Sequence, residues 1–426
     1  MIDPFQHHSA HSNKGSAAVK KEQFYDYESR LSRPINVKIP ELQTGERLRH
    51  VIFADQFTRG ILERVTRTAD RIRTVHKSKD GCRFLRELLP HIKAMLYFTQ
   101  PSTRTFLSFM SACQLLGVSC AEVRDPKTSS ESKRESPIDS MRMFSSYFDI
   151  VIMRSNQPQF AECCAYLMND LGETSRRSVP IINAGAGADE HPTQALLDIY
   201  TIQRALTFDH PKDSSKWTWF EELRQTEPGL RRGIGGKKIG FCGDVRRGRT
   251  VRSLSRLLTL YDDMSMYFVS PPHPKLRIAP EMKSLLSDRK AEVREFSSFD
   301  DPCGASSVIE NLDVLYMTRL QREHNSPEDE ADFANLDFNP YRLNPKLVAR
   351  MKPYAAILHP FPRDEEFGEI PTSIDADPRA HYFRQARNGM WVRAALLAYL
   401  FDVDSQIADY YEKYTAETKD YNTGVL

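Results

Sequence analysis

The sequence lacks the features that mark several large protein classes. No run approaches the roughly 18 apolar residues a helix needs to cross a bilayer, so no membrane partner is expected. Neither G-x-G-x-x-G nor G-x-x-x-x-G-K-[ST] occurs, which removes the two common glycine-rich cradles for nucleotides. His191 has no second histidine at zinc-binding spacing, and no G-x-S-x-G elbow presents a serine nucleophile. The seven cysteines (82, 113, 120, 163, 164, 242 and 303) form no C-x-x-C pair, and their odd number argues against a disulfide framework. The charge is nearly balanced, with 59 Lys and Arg against 57 Asp and Glu, so no general field for nucleic acid exists. The N-terminus has no apolar signal core; its first 25 residues are His- and Ser-rich without amphipathy. These absences predict a cytoplasmic protein with no metal, no organic cofactor and no nucleic-acid partner.

What is present is alternation. At 426 residues the chain exceeds one ordinary core, and 40% hydrophobic with 27% charged residues is a globular balance. A helical apolar period runs over 49–74. Apolar strands follow at KAMLYF (93–98), VSCAEV (118–123), DIVIMR (149–154), VPIINAG (179–185), KKIGFCG (237–243), SMYFVS (265–270), DVLYMT (313–318) and AAILHP (355–360). Helical segments fall between many of them, including 108–117, 139–148, 194–206 and 250–261. Strands without strict in–out alternation are buried on both faces. This predicts an α/β chain of two open parallel-sheet domains, helices on both faces, with the active site in the cleft between them. The division predicted is a polar, mobile arm (1–45), a first domain (46–195), a second domain (196–400) with a surface insert at 207–236, and a tail (401–426).

The stretch YFTQPSTRT (97–105) sets Ser102, Thr103, Arg104 and Thr105 at the end of a strand and the start of the next helix. Ligands of open α/β sheets bind at such carboxyl ends. A helix N-terminus with hydroxyl donors and an arginine fork suits a phosphate. Comparable chemistry follows other strands: Arg154; His191 and Gln194; Arg249 and Thr250; Arg319 and Gln321; Arg363. Each is weak alone, because a lone arginine after a strand is usually solvated. Together they describe one crevice for a molecule with several negative oxygens, rich in fixed donors and without an evident covalent nucleophile. Such a site accelerates acyl transfer by holding two partners and stabilising an oxyanion.

Over residues 50–400 the chain resembles the aspartate/ornithine carbamoyltransferase family, and its aspartate branch in particular. The segments that carry the resemblance are PSTRTFLSF (101–109), HPTQALLDIYTI (191–202), GDVRRGRTVRSLSRLL (243–258), YMTRLQRE (316–323), HPFPRDEE (359–366) and DPRAHYFRQARNGMWVRAALL (377–397). The resemblance implies transfer of the carbamoyl group of carbamoyl phosphate to the amine of L-aspartate, a step of pyrimidine biosynthesis. It assigns the phosphate to Ser102, Thr103, Arg104, Thr105 and Arg154. The carbonyl oxygen falls to Thr105, Arg154 and His191, and the carbamoyl nitrogen to Gln194 and the backbone of Phe361–Pro362. Aspartate falls to Arg249, Thr250, Arg319 and Gln321. It further implies that Ser129 and Lys133, in the polar loop 125–138, enter a neighbouring subunit's site, with Lys133 serving both substrates. A homotrimer with shared sites follows, and the arm or the insert offers surface for higher assembly. The chain departs from the family pattern at Gln100, Phe106, Met110 and His324, near the second-substrate region. Two alternatives therefore stand beside the aspartate reading: a carbamoyltransferase for a different amino acid or amine, and a catalytically silent structural or regulatory relative.

Overall fold

The predicted alternation of apolar strands and helices resolves into two parallel sheets in a computed structural model of the chain. It describes residues 27–125, 135–175, 177–185, 190–207, 217–227, 229–319, 327–333, 336–364 and 368–421. The first domain contains α1 (Arg59–Val75), β1 (Lys93–Phe98), α2 (Thr103–Leu115), β2 (Ser119–Val123), α3 (Pro137–Tyr147), β3 (Ile150–Arg154), α4 (Phe160–Ser175), β4 (Ile181–Asn183) and α5 (Pro192–Ala205). Its sheet order is β2-β1-β3-β4, all parallel. Every residue of β3 is buried, as expected of a central strand covered on both faces.

The second domain contains β5 (Lys238–Cys242), α6 (Arg249–Leu258), β6 (Ser265–Val269), α7 (Pro280–Asp288), β7 (Glu292–Phe296), β8 (Val314–Met317) and β9 (Ala356–Leu358). Its order, β9-β8-β5-β6-β7, is also parallel throughout. Both sheets reverse their winding direction. The switch lies between β1 and β3 in the first domain, and between β5 and β8 in the second. Crevices open at the carboxyl ends of the strands at such switch points.

Three regions differ from the sequence expectation. Residues 49–58 do not continue α1. Val51 bridges to Ile182 of β4, and Gln56 Oε1 accepts from the backbone N–H of Ile52 (2.6 Å) and Phe53 (2.8 Å), which holds a short 3₁₀ turn before Thr58 caps α1. The described part of the predicted mobile arm is packed: Tyr27, Leu31 and Leu42 are buried, and Lys38 pairs with Glu162 of α4 at 2.7 Å. Within the predicted surface insert, a helix (Trp217–Thr226) and the segment after it bury Leu223, Leu230 and Ile234 in the core.

Two C-terminal helices, α8 (Tyr382–Leu400) and α9 (Asp404–Tyr421), return to the first domain. Helix α8 packs on α1, α2 and α5, and α9 packs on α1, so residues numbered with the second domain and the tail build the first domain's outer layer. The stretch Trp391–Tyr399 is buried almost all round, which accounts for its apolar composition. Among the described residues no helix is long and apolar enough to cross a membrane.

A charged seam also joins the domains. Asp55 accepts from Arg256 of α6 and from Arg289 at the end of α7, each at 2.6 Å, and Arg256 also lies 3.2 Å from Glu190. The Asp55 side chain is only 10% exposed, so screening by solvent is limited. Asp55→Asn should leave two partly buried guanidinium groups short of a counter-charge and lower stability by about 1–3 kcal/mol, read as a reduced urea midpoint. An unchanged midpoint would show that the seam adds nothing.

Candidate active site

In the first crevice, Ser102 is the N-cap of α2, yet its hydroxyl makes no capping hydrogen bond. Thr103, Arg104 and Thr105 form the first turn, where backbone N–H groups have no partner within the helix. Thr105 is buried; Ser102 is half-buried, and Thr103 and Arg104 are exposed. Arg154 ends β3 directly opposite Phe98, the last residue of β1, so pairing register brings its guanidinium to the helix start. Arg154 Nη1 donates to Ala184 O at 3.4 Å, and its buried Nε has no partner.

His191 is the N-cap of α5 and is buried. Its backbone N–H donates to Ser253 Oγ in α6 at 3.2 Å, which ties it to the second domain. Gly185 fills the gap between the functional groups. Its φ is +100°, and a Cβ there would lie 2.7 Å from His191 Cδ2 and 2.8 Å from Arg154 Nη1. A side chain at this position would push imidazole and guanidinium apart.

The electrostatics are those of converging cations. Burial first, then the charges of Arg249, Arg393 and Arg104, pushes Arg154 down to about 9. Burial also pushes Arg393, on α8, down to about 9, with Asp198 acting against that change. His191 falls well below its ordinary value, through burial and then Arg154, Arg249 and Arg393. The imidazole is therefore held in its neutral form, which carries one N–H donor and one acceptor nitrogen. Positive charges crowded against one another in a buried pocket are relieved by an anion. Arg393 was not singled out in the sequence; the signal available was one arginine inside the apolar run WVRAALL.

The second crevice faces the first. Arg249 opens α6, with Thr250 next to it, and Arg319 follows β8 by two residues. The strand exits cross closely: Thr318 N–H donates to Cys242 O at 2.8 Å, and a Cβ on Gly243 (φ +109°) would lie 2.1 Å from Thr318 O. Phe361, joined to Pro362 by a cis peptide bond, comes from the loop after β9, and its ring lies 5.4 Å from the Arg104 guanidinium carbon. This contact across the cleft was not legible in the sequence. Gln194 donates through Nε2 to Asp198 Oδ1 at 2.9 Å. The structure thus brings Arg104 and Arg249 within electrostatic reach of Arg154, Arg154 and Arg249 within reach of His191, and Phe361 against Arg104. Ser102, Thr103 and Thr105 share the helix start with Arg104, Gln194 lies in the first turn after His191, Thr250 adjoins Arg249, and Arg319 follows the β8 exit. Arg363 turns instead to Asp375 at 2.7 Å and supports the loop. Ser129, Lys133, Gln321 and His324 lie outside the described residues.

Comparison with known proteins decides the family. Residues 49–204 match the family model of the aspartate/ornithine carbamoyltransferase carbamoyl-P binding domain, and residues 235–400 match the Asp/Orn binding domain of the same family. The chain belongs to the aspartate/ornithine carbamoyltransferase family. The aspartate carbamoyltransferase catalytic subunit of Dichelobacter nodosus is 34% identical, over 85% of this chain and 92% of that protein. The multifunctional protein CAD of Squalus acanthias is 36% identical over 82% of this chain, which spans only 13% of that much longer protein. Among solved structures, Trypanosoma cruzi aspartate transcarbamoylase in complex with aspartate and phosphate superposes with a TM-score of 0.67 at 28% identity, over 84% of this chain and 97% of that one. The M. jannaschii catalytic subunit gives 0.63 at 32% identity, over 83% and 98%.

In this carbamoyltransferase, Gly185→Ala should lower kcat/KM at least about tenfold while the protein still folds, because the methyl group displaces His191 and Arg154 rather than core residues. The check is steady-state kinetics beside a thermal melt. Near-normal kcat/KM in the folded variant would deny the close packing of the two groups a role.

Proposed function

We propose that this chain transfers the carbamoyl group of carbamoyl phosphate to the amine of L-aspartate, giving N-carbamoyl-L-aspartate and phosphate in pyrimidine biosynthesis. The observation that carries this reading is the opposition of two switch-point crevices, one at the Ser102–Thr105 turn, Arg154 and His191, the other at the strand exits that lead to Arg249 and Arg319. In this reading the first crevice holds the phosphate through Ser102, Thr103, Arg104, Thr105 and Arg154. Neutral His191 and Thr105 donate to the carbonyl oxygen, where negative charge grows as the amine attacks. Gln194 and the carbonyl groups of Phe361 and Pro362 accept from the carbamoyl nitrogen. Arg249 and Arg319 each take one carboxylate of aspartate, with Thr250 and Gln321 fixing its pose. The new C–N bond forms as the bond from carbon to phosphate oxygen breaks, and the departing phosphate takes the proton of the attacking amine. We further propose a homotrimer in which Ser129 and Lys133 act in a neighbouring subunit's site, and a cytoplasmic location, in keeping with seven cysteines that form no disulfide.

The amine panel tests the substrate. An amine with one carboxylate leaves an arginine without its counter-ion in a drying site, at a cost of about 2–4 kcal/mol. Aspartate should therefore exceed alanine and ornithine by about thirtyfold to nearly a thousandfold in kcat/KM, and Arg319→Ala should erase most of that margin. Faster turnover of ornithine or another non-acidic amine would replace aspartate as the substrate.

Subunit sharing has its own test. Arg104→Ala and Lys133→Ala should each cost at least about a hundredfold in activity. Mixed under verified subunit exchange, the two inactive proteins should regain activity, since some interfaces then carry a complete set of donors. No recovery would mean that each subunit's site is self-contained.

A further inference from the structure

Asp198 lies one turn beyond Gln194 on α5 and is fully buried. Three donors from three elements converge on its carboxylate. Gln194 Nε2 reaches Oδ1 at 2.9 Å, Gln385 Nε2 of α8 reaches the same oxygen at 2.6 Å, and the Tyr316 hydroxyl of β8 reaches Oδ2 at 2.8 Å. An ionised carboxylate only accepts hydrogen bonds. It therefore dictates which end of each amide faces it: both glutamines turn their NH₂ groups inward and present their oxygens on the opposite side. For Gln385 that oxygen is in use, since Oε1 accepts the His359 N–H at 2.8 Å, and His359 Nδ1 in turn accepts the Phe361 N–H at 2.8 Å. The Asp198–Gln385 pair thus anchors the start of the loop that carries Phe361 and Pro362. The surroundings suit the anion, with Arg393 acting on it as well as the three donors. Burial nonetheless raises its pKa to about 7.

We propose that Asp198 is a positioning residue that orients the amides of Gln194 and Gln385 so that acceptor oxygens, from Gln194 and from the Phe361–Pro362 backbone, meet the carbamoyl nitrogen. Asp198 thereby selects a carbamoyl phosphate over an acyl phosphate of the same shape. The proposal rests on the reading above that Gln194 faces that nitrogen. With alanine at 198, Gln194 loses the acceptor that fixes its NH₂ group inward, and its amide presents NH₂ to the substrate as readily as oxygen; asparagine would keep its oxygen toward both glutamines and its NH₂ toward the Tyr316 hydroxyl, and so would not serve. A donor facing a donor binds an amide no better than a methyl ketone.

The test compares binding of phosphonoacetamide with that of 2-oxopropylphosphonate, in which a methyl group replaces the NH₂. By equilibrium titration the native protein should prefer the amide by about tenfold or more. Asp198→Ala and Gln194→Ala should each reduce that preference to about threefold or less, with little change in affinity for the ketone, and the double variant should lose no more than either alone. A merely structural defect would weaken both ligands together and leave their ratio intact. Gln385→Met leaves Asp198 and Gln194 in place and should lower the ratio by a smaller factor; it decides the matter if Asp198→Ala does not fold, and an undiminished ratio there overturns the proposal. Lost preference in Gln194→Ala with full preference in folded Asp198→Ala overturns the role of Asp198 alone. Full preference in Gln194→Ala overturns the proposal together with the reading of Gln194 beneath it.

Discussion

Arg104, Arg249 and Arg393 act electrostatically on Arg154, and Arg154, Arg249 and Arg393 act on His191, at the seam between the two sheets. Bringing like charges together in a buried place is unfavourable, and only a rigid scaffold keeps it. The parallel strands supply that scaffold. Residue pairing fixes Arg154 opposite Phe98, and Met317 opposite Cys242 sets the exits that lead to Arg319 and Arg249. Burial, and then the same positive crowding, keeps His191 in its neutral form. An anion with several oxygens is what such a pocket accommodates, and the charges are in place before it arrives.

The rest of the molecule holds this arrangement from outside. Helix α8 spans the first domain, placing Arg393 beside Ser108 and Gln385 at Asp198. Asp55 draws together α6 and the end of α7, and α6 is the helix whose first turn carries Arg249 and Thr250. Gly185 and Gly243 have left-handed backbone and close contacts on the Cβ side, which lets His191 and Arg154 in one crevice and the strand exits in the other approach closely. The Tyr316 hydroxyl of β8 donates to Asp198 of α5, so a buried polar network crosses between the two domains.

Local sequence marked the strand ends well because buried parallel strands are written as apolar runs, and a polar residue just past such a run must lie at the sheet's edge. Arg154, His191, Arg249 and Arg319 were found this way, and the Ser102–Thr105 turn was visible as hydroxyls before a helix. Signals that depend on partners distant in sequence were not visible. Asp198 reads as one more polar residue in an amphipathic helix until Tyr316 and Gln385 meet it, 118 and 187 residues away. The arm looked irregular because its few apolar residues, Tyr27, Leu31 and Leu42, have no period; what orders them is the surface of α4.

Sequence by itself determined the parallel α/β class, the two-sheet plan and the set of anion-seeking side chains, because periodicity and strand-end chemistry are local properties. It also determined the family, since its motifs occur in order along the chain. Tertiary structure alone decided which of those side chains converge, that the C-terminal helices close over the first domain, and that a buried carboxylate joins both crevices. Convergence depends on sheet winding order and on the crossing of remote helices, and neither leaves a periodic trace in the chain.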